Sequence, residues 1–288
     1  MSDTGGFPLS FGSSQFSGKN NRTRVQGNAW GWENVVQAPM SAAFGYRNQV
    51  TAVGTIAGGS SSSNSGANSW VWGNGVSNIA ANSGGGGISV SITGGNAFGW
   101  GNSLTIAGTS SAGFGQSGSI SASFAFGCGN RWVASRQGEL AHSSGNILSS
   151  GDCQHGWLVA LNQTTSNTPT VLYLDGVVAS QRPVMATGAR WGVTVEIVAA
   201  TTGAINKSAR FVRSFQIDRP TTAASTTLVG SVQTVGTDTG TNSGTPPAGW
   251  AVSITADTTN GAPQFQVTGD SSTINWTAAI HYVQTIQV

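Results

Sequence analysis

Charged residues are scarce in this 288-residue chain: 12 Lys and Arg with 10 Asp and Glu make up 8% of it, where a soluble domain ordinarily carries about a quarter. A formal net charge of +2 spread this thinly excludes a nucleic-acid-binding surface. The one basic cluster, Lys19 to Arg24, reads as a solvated loop or as a contact with an acidic partner protein. No stretch of 18 consecutive apolar residues occurs, so no membrane insertion is predicted. The first residues hold no basic segment followed by an apolar run, so a secretory signal is not expected and assembly in the cytoplasm is. The two cysteines, Cys128 and Cys153, stand in no CxxC or Cys/His spacing. The three histidines, His142, His155 and His281, lie far apart in the chain. No metal or cofactor motif is visible, and two free thiols are expected.

Glycine and aromatics are plentiful. There are 42 Gly, 10 Trp and 11 Phe, and aromatics spread along a chain argue against disorder. The glycines keep time. Gly31, Gly45, Gly59, Gly73, Gly87, Gly101, Gly115 and Gly129 stand fourteen residues apart without a break, and the steps outside them are Ser17 and Ser143. Seven residues on, Ala38, Ala52, Gly66, Ala80, Gly94, Gly108 and Ala122 are all small, and Arg136 breaks the rule. Five after each glycine come Val36, Val50, Asn64, Asn78, Ile92, Ile106, Ile120 and Ala134. Just before it come Trp30, Phe44, Gly58, Trp72, Gly86, Trp100, Phe114 and Cys128.

A period this short cannot hold a helical hairpin. It suits a narrow β-solenoid coil of two short strands and two tight corners, with glycine supplying positive φ or close backbone approach. A coiled coil is excluded, because each helical glycine would cost about 1 kcal/mol. The segment "GWGNSLTIAG" (99–108) is not a nucleotide cradle. The third glycine of a dinucleotide fingerprint would fall on Leu104, and no Gly-Lys-Ser/Thr follows.

The stretches "NAWGWENVVQAPMSAAFGYRNQVTAVGTIAGG" and "NAFGWGNSLTIAGTSSAGFGQSGSISASFAFGCGN" resemble the head repeats of trimeric autotransporter adhesins, over roughly residues 24 to 142. The resemblance implies a left-handed parallel β-roll, about fourteen residues per coil, with three chains side by side.

From about residue 146 the rule stops and alternation with period two begins. Trp191, Val193, Val195 and Ile197 share one strand face, as do Phe211, Phe215 and Ile217, with Arg213 interrupting. Trp250, Val252, Ile254 and Ala256 form a third stripe, and Ile274, Trp276, Ala278, Ile280 and Tyr282 a fourth. Further strands are expected at 157–163, 170–175, 226–235 and 263–268. About eight such strands predict an antiparallel β-sandwich. "SSGDCQHGWLVALNQTTSNTPTVLYLDG", with "TTLVGSV" and "WAVSITADTTNGAPQFQVTGDSSTINWTAAIHYVQT", resembles a module near the C-termini of bacteriophage tail and fibre proteins, over about 149 to 288.

These readings predict an all-β chain: an attachment segment (1–23), a left-handed parallel β-roll stalk (24–145) and an antiparallel β-sandwich knob (146–288). The resemblances imply a homotrimeric, non-enzymatic virion fibre or spike on the tail or capsid. Its N-terminal segment would bind another virion protein, and its knob a host surface glycan. The alternatives are a structural head spike or decoration protein, or a polysaccharide depolymerase. A depolymerase needs paired carboxylates, and of the ten in the chain Glu139 and Asp152 are the least ordinary pair. Trp250, His281 and Tyr282 are the candidate exposed ligand contacts. The recurring tryptophans are read as packing, with sugar stacking the alternative.

Overall fold

A computed structural model describes residues 15–23, 26–176, 180–203, 206–241 and 244–287. The chain is all-β, with a parallel β-solenoid of about nine turns, and it divides into two compact units, Met1–Ser121 and Ala122–Val288. Among the described residues no helix is long and apolar enough to cross a membrane.

In the first unit each coil gives one strand of five or six residues and one of two. The longer strands, Gly27–Trp32, Ser41–Tyr46, Ile56–Ser60, Trp70–Asn74, Gly84–Ile88, Phe98–Asn102 and Ala112–Gln116, pair in parallel order. The register matches Gly31 with Gly45, Gly59 with Gly73 and Gly87 with Gly101. The short strands match Val36 with Val50 and Ile92 with Ile106.

These glycines are obligatory for two reasons. Their φ runs from 100 to 155°, a region side chains do not tolerate. A Cβ on Gly87 would also fall far inside van der Waals contact of the Gly101 carbonyl oxygen, and the same holds along the series. The corners proper lie elsewhere. Glu33, Arg47, Ser61, Ser89, Ser103 and Ser117 make one, and Met40, Asn68, Asn82, Asn96 and Ser110 the other, all with φ between 53 and 57°. Polar residues that tolerate the left-handed region hold most of them.

The coil interior is thin, and its two walls complement each other in size. Ala29, Ala43, Ala57 and Val71 line the longer strands, and Val36, Val50, Ile92 and Ile106 the short ones. Where Gly85 and Gly99 thin one wall, Ile92 and Ile106 fill the space: a Cβ on Gly99 would meet Ile106 Cγ1 at 3.0 Å. A buried amide ladder completes the coil. The Asn34 side chain donates to the carbonyls of Trp30 and Gly45 at 2.8 and 2.9 Å and accepts from the Asn48 N–H at 3.0 Å. Asn48 repeats the pattern on Phe44, Gly59 and Ser62.

The array also starts earlier than expected. Gln15–Lys19 pairs with Gly27–Trp32, and Gly18, thirteen residues before Gly31, is its partner. A coil one residue short hides this glycine from a fourteen-residue step. Residues 15–23, expected in the attachment segment, therefore include solenoid strands; residues 1–14 lie outside the described residues, as does Arg24 of the basic cluster.

The second unit opens with Phe126–Asn130 parallel to Leu140–Ser143. The latter pairs antiparallel with Cys153–Thr164, and the sheet continues through Ile274–Ile286, Ala189–Thr201, Ser208–Asp218 and Thr227–Thr234. A three-stranded sheet, Thr170–Val171, Ala262–Thr268 and Ala251–Asp257, packs on it. All the expected stripes supply the core, from Trp191 to Ile197 and from Ile274 to Tyr282, with Phe211, Phe215 and Ile217; Trp250, Ile254 and Phe265 come from the smaller sheet. The expected antiparallel sandwich is thus only partly seen, as a large sheet covered by a three-stranded one, and the 170–175 strand shrinks to two residues.

Candidate functional site

The outward face of the longer solenoid strands in the first unit is built from three columns. Alternation along each strand sends Trp70 and Trp72 out while Val71 goes in. The columns run through Ile56, Trp70 and Phe98; through Trp30, Phe44, Trp72, Trp100 and Phe114; and through Trp32, Tyr46 and Ile88. Over strands 27–116 no acidic or basic residue occurs in any of them, and Lys19 continues the third column beside Trp32. Trp32, Trp72 and Trp100 are 54, 52 and 45% exposed.

The glycines that interrupt the aromatic column make room for its rings. A Cβ on Gly58 would collide with the ring of Trp72, one on Gly86 with Trp100, and one on Gly84 with Trp70. Each of these tryptophans packs over the glycine of a neighbouring coil and contacts an aromatic two coils away. Phe44 and Trp72 are 6.5 Å apart between centroids, and Trp70 and Trp100 6.3 Å. Trp30 stacks on Phe44 at 4.8 Å.

The carboxylates are committed elsewhere. Glu139 is fully buried, held by Arg136 at 2.7 Å, by the backbone N–H groups of Ser135 and Arg136, and by the Tyr282 hydroxyl. Asp152 is also buried and accepts the N–H groups of Ile147, Leu148 and Ser149, capping the turn where the chain reverses. The Gln154 side chain bonds both N–H and C=O of Val133 at 2.9 Å. The "GDCQ" motif therefore does structural work at the coil-to-sheet turn, and Glu139 and Asp152 do not face solvent as a catalytic pair would. The remaining described carboxylates are paired as well: Glu33 with Arg47, Asp218 with Arg190, Asp238 with Arg213, Asp257 with Arg182, Glu196 with Arg210 and Asp270 with Lys207. Asp175 accepts the N–H groups of Ser180 and Gln181.

Acid should therefore destabilise the fold. Burial opposes ionisation of Asp152, Asp257 and Asp270, but the N–H and side-chain donors around each outweigh it and hold the carboxyls below the usual range. Because these groups are lowered in the folded state, their stabilisation is complete above about pH 4 and is lost as pH falls through the folded values. A melting temperature that drops between pH 5 and pH 2.5, measured by circular dichroism, is the expected result; a flat profile would contradict it.

Two of the three candidate ligand contacts are corrected. Trp250 is 5% exposed and packs on Trp276 at 5.6 Å. Tyr282 is fully buried and stacks on Trp191 at 4.3 Å. Both lie on strand faces that the structure turns into the core, so neither presents a ring to a ligand. His281 alone of the three is partly exposed, and it joins His142 and His155, which sequence distance gave no reason to group. Cys128 and Cys153 are free. Among the described residues no group of three His, Cys, Asp or Glu side chains is arranged to hold a metal ion. An open cleft in the second unit, lined by Thr165, Ser166, Asn167, Asp270 and Ser271 with Gly249 and Gly269, was not foreseen. Its residues read in sequence as turn formers.

No family model matches the chain, and no curated protein is similar to it. Among solved structures it is similar to the tailspike protein of Acinetobacter phage vB_ApiP_P1, at 10% identity and a TM-score of 0.28, over 90% of this chain and 56% of that one. It is also similar to the tailspike protein of Acinetobacter baumannii phage AM24, at 9% identity and a TM-score of 0.25, over 93% of this chain and 54% of that one. The chain thus spans little more than half the length of these two proteins.

Proposed function

We propose that this chain is a homotrimeric virion fibre or spike that attaches a phage to its host. The solenoid, left-handed as in the adhesin heads it resembles, is the stalk, and the C-terminal β-domain is the knob that binds a surface glycan. The observation that carries the reading is the aromatic-rich outward face of the longer solenoid strands between residues 27 and 116. Trp32, Trp72, Ile88 and Trp100 stand about half exposed along it, clustered apolar side chains of this kind mark interaction surfaces, and packing against two further copies would cover them. The open cleft at Asn167 offers amide and hydroxyl partners of the kind sugar hydroxyls use. Weak sites of this sort would gain strength from multivalency, three per fibre and several fibres per particle.

The commitment of every described carboxylate to an ion pair or a backbone cap supports a binding role over polysaccharide cleavage. Sedimentation should give three times the chain mass for the wild type, and a smaller species for Trp72→Ser combined with Trp100→Ser. Asn167→Ala should weaken binding to a host glycan about tenfold, the equivalent of about 1.4 kcal/mol, while leaving the mass unchanged. A monomeric wild type would defeat the trimer. Absence of binding to host cells would favour a purely structural spike or decoration protein, and release of reducing ends from host polysaccharide would establish a depolymerase.

A further inference from the structure

All three histidines of the chain meet on the outward face of the larger sheet of the second unit. Strand register sets His142 beside His155 and Trp157 beside His281. His142 Nδ1 lies 2.9 Å from His155 Nε2, and the rings of His155 and His281 are 5.9 Å apart. Trp157 closes the group, edge-on to His155 at 4.7 Å and 5.0 Å from His281.

Among the described residues no acid faces the cluster. On the neighbouring coil strand, Cys128 pairs with His142, and burial pushes its thiol up, so it stays neutral. Cys153 is the other titratable group on the outward face of the 153–164 strand, and Asp152 beside it is taken by backbone N–H groups. The 274–286 strand carries no charged residue besides His281, and its Tyr282 is buried on the opposite face with Glu139 and Arg136. On the next strand, Thr194 pairs with His281; Glu196, further along, is held by Arg210, and Arg190 is matched with Asp218.

We propose that this cluster is an acid-sensitive latch, in which protonation of both members of the His142–His155 pair releases the strand Leu140–Ser143 from the strand Cys153–Thr164. In the neutral pair one ring donates its N–H to the bare nitrogen of the other. A first proton from solvent preserves one donor and one acceptor. A second makes donors of both facing nitrogens, removes the hydrogen bond and sets two like charges together beside a third imidazole, with no carboxylate to offset them.

Burial, reinforced by His142 and His281, holds the His155 imidazole below its usual range. The folded value is depressed, so the pairing is unaffected above the unfolded value of about 6.5. Below it, the equilibrium constant for pairing falls by up to about tenfold per pH unit for each proton taken up on opening.

Hydrogen exchange on the full chain, with chelator present and corrected for the intrinsic rate, tests the latch. Amides across the 140–143 and 153–157 pairing should open more at pH 5.5 than at pH 7.5, by up to about tenfold for each proton taken up, while those between 189–201 and 208–218 do not change. His155→Gln should abolish the difference. Equal protection at both pH values, or a response that survives in His155→Gln, would overturn the proposal. Should that variant not fold, the proton resonances of the wild-type rings decide: a His155 midpoint below 6.5 supports the latch, and one at or above 6.5 defeats it.

Discussion

Gly87→Val will abolish the folded solenoid, whereas Gly95→Ala, eight residues on, will leave it intact. At Gly87 φ is 119°, where a β-branched residue is strained by about 1–3 kcal/mol on its own account. The added Cβ would also overlap the carbonyl of Gly101, which is locked in the parallel ladder and has no flexible end to move. Together these place the substitution beyond about 4 kcal/mol, at the extreme of single changes. Because each coil is stable only against its neighbours, the loss propagates along the stack. Gly95 has no left-handed φ, and its Cβ would find Ala81 O at 4.0 Å, so alanine there should alter stability by less than about 0.5 kcal/mol. Denaturant midpoints and proteolytic resistance measure both. A Gly87→Val protein that unfolds with the wild type would remove the close-approach argument.

Arg136→Met will destabilise the second unit by about 3–5 kcal/mol, since it strands the Glu139 carboxylate as an unpaired buried charge. Arg136 also donates to the Val184 carbonyl at 2.7 Å and lies 4.5 Å over the Trp191 ring. Burial and the Glu139 charge push the Tyr282 phenol far above its usual value, so its hydroxyl keeps its proton and donates to Glu139 throughout the accessible pH range. Adding Glu139→Gln to Arg136→Met should recover part of the loss, because the amide oxygen still accepts the N–H groups of Ser135 and Arg136 without carrying charge. Urea unfolding of the two single variants and the double variant makes the test. A double variant less stable than Arg136→Met would show that lost packing and hydrogen bonds, rather than the stranded charge, cause most of the destabilisation.

Much of the architecture was legible in the residues. The glycine clock marked the parallel ladder, and the period-two stripes marked the core of the C-terminal sheets residue by residue, from Trp191 to Ile197 and from Ile274 to Tyr282. The array's ends were less legible. Gly18 sits thirteen residues from Gly31 and Ser143 replaces a glycine, yet both pair in register, because hydrogen-bonded coils absorb a residue's change in loop length. The candidate site was less legible still. Arg136 looked like a fault in the small-residue register, and Glu139 was singled out only beside Asp152 as a possible catalytic pair; Arg136 and Glu139 are one network with Tyr282, 143 residues beyond Glu139.

The difference is one of range. A coil pairs with the coil fourteen residues away, so its demands on φ, on side-chain size and on alternation recur at a fixed interval and are written into the chain as a repeat. Strand order in an antiparallel sheet follows no such interval. It sets 153–164 beside 274–286 and 274–286 beside 189–201, and thereby decides which face Trp250 and Tyr282 occupy, which carboxylates are paired, and that three scattered histidines share one surface. Those outcomes depend on strand pairings between stretches far apart in the chain, and they appear only once the sheets have closed.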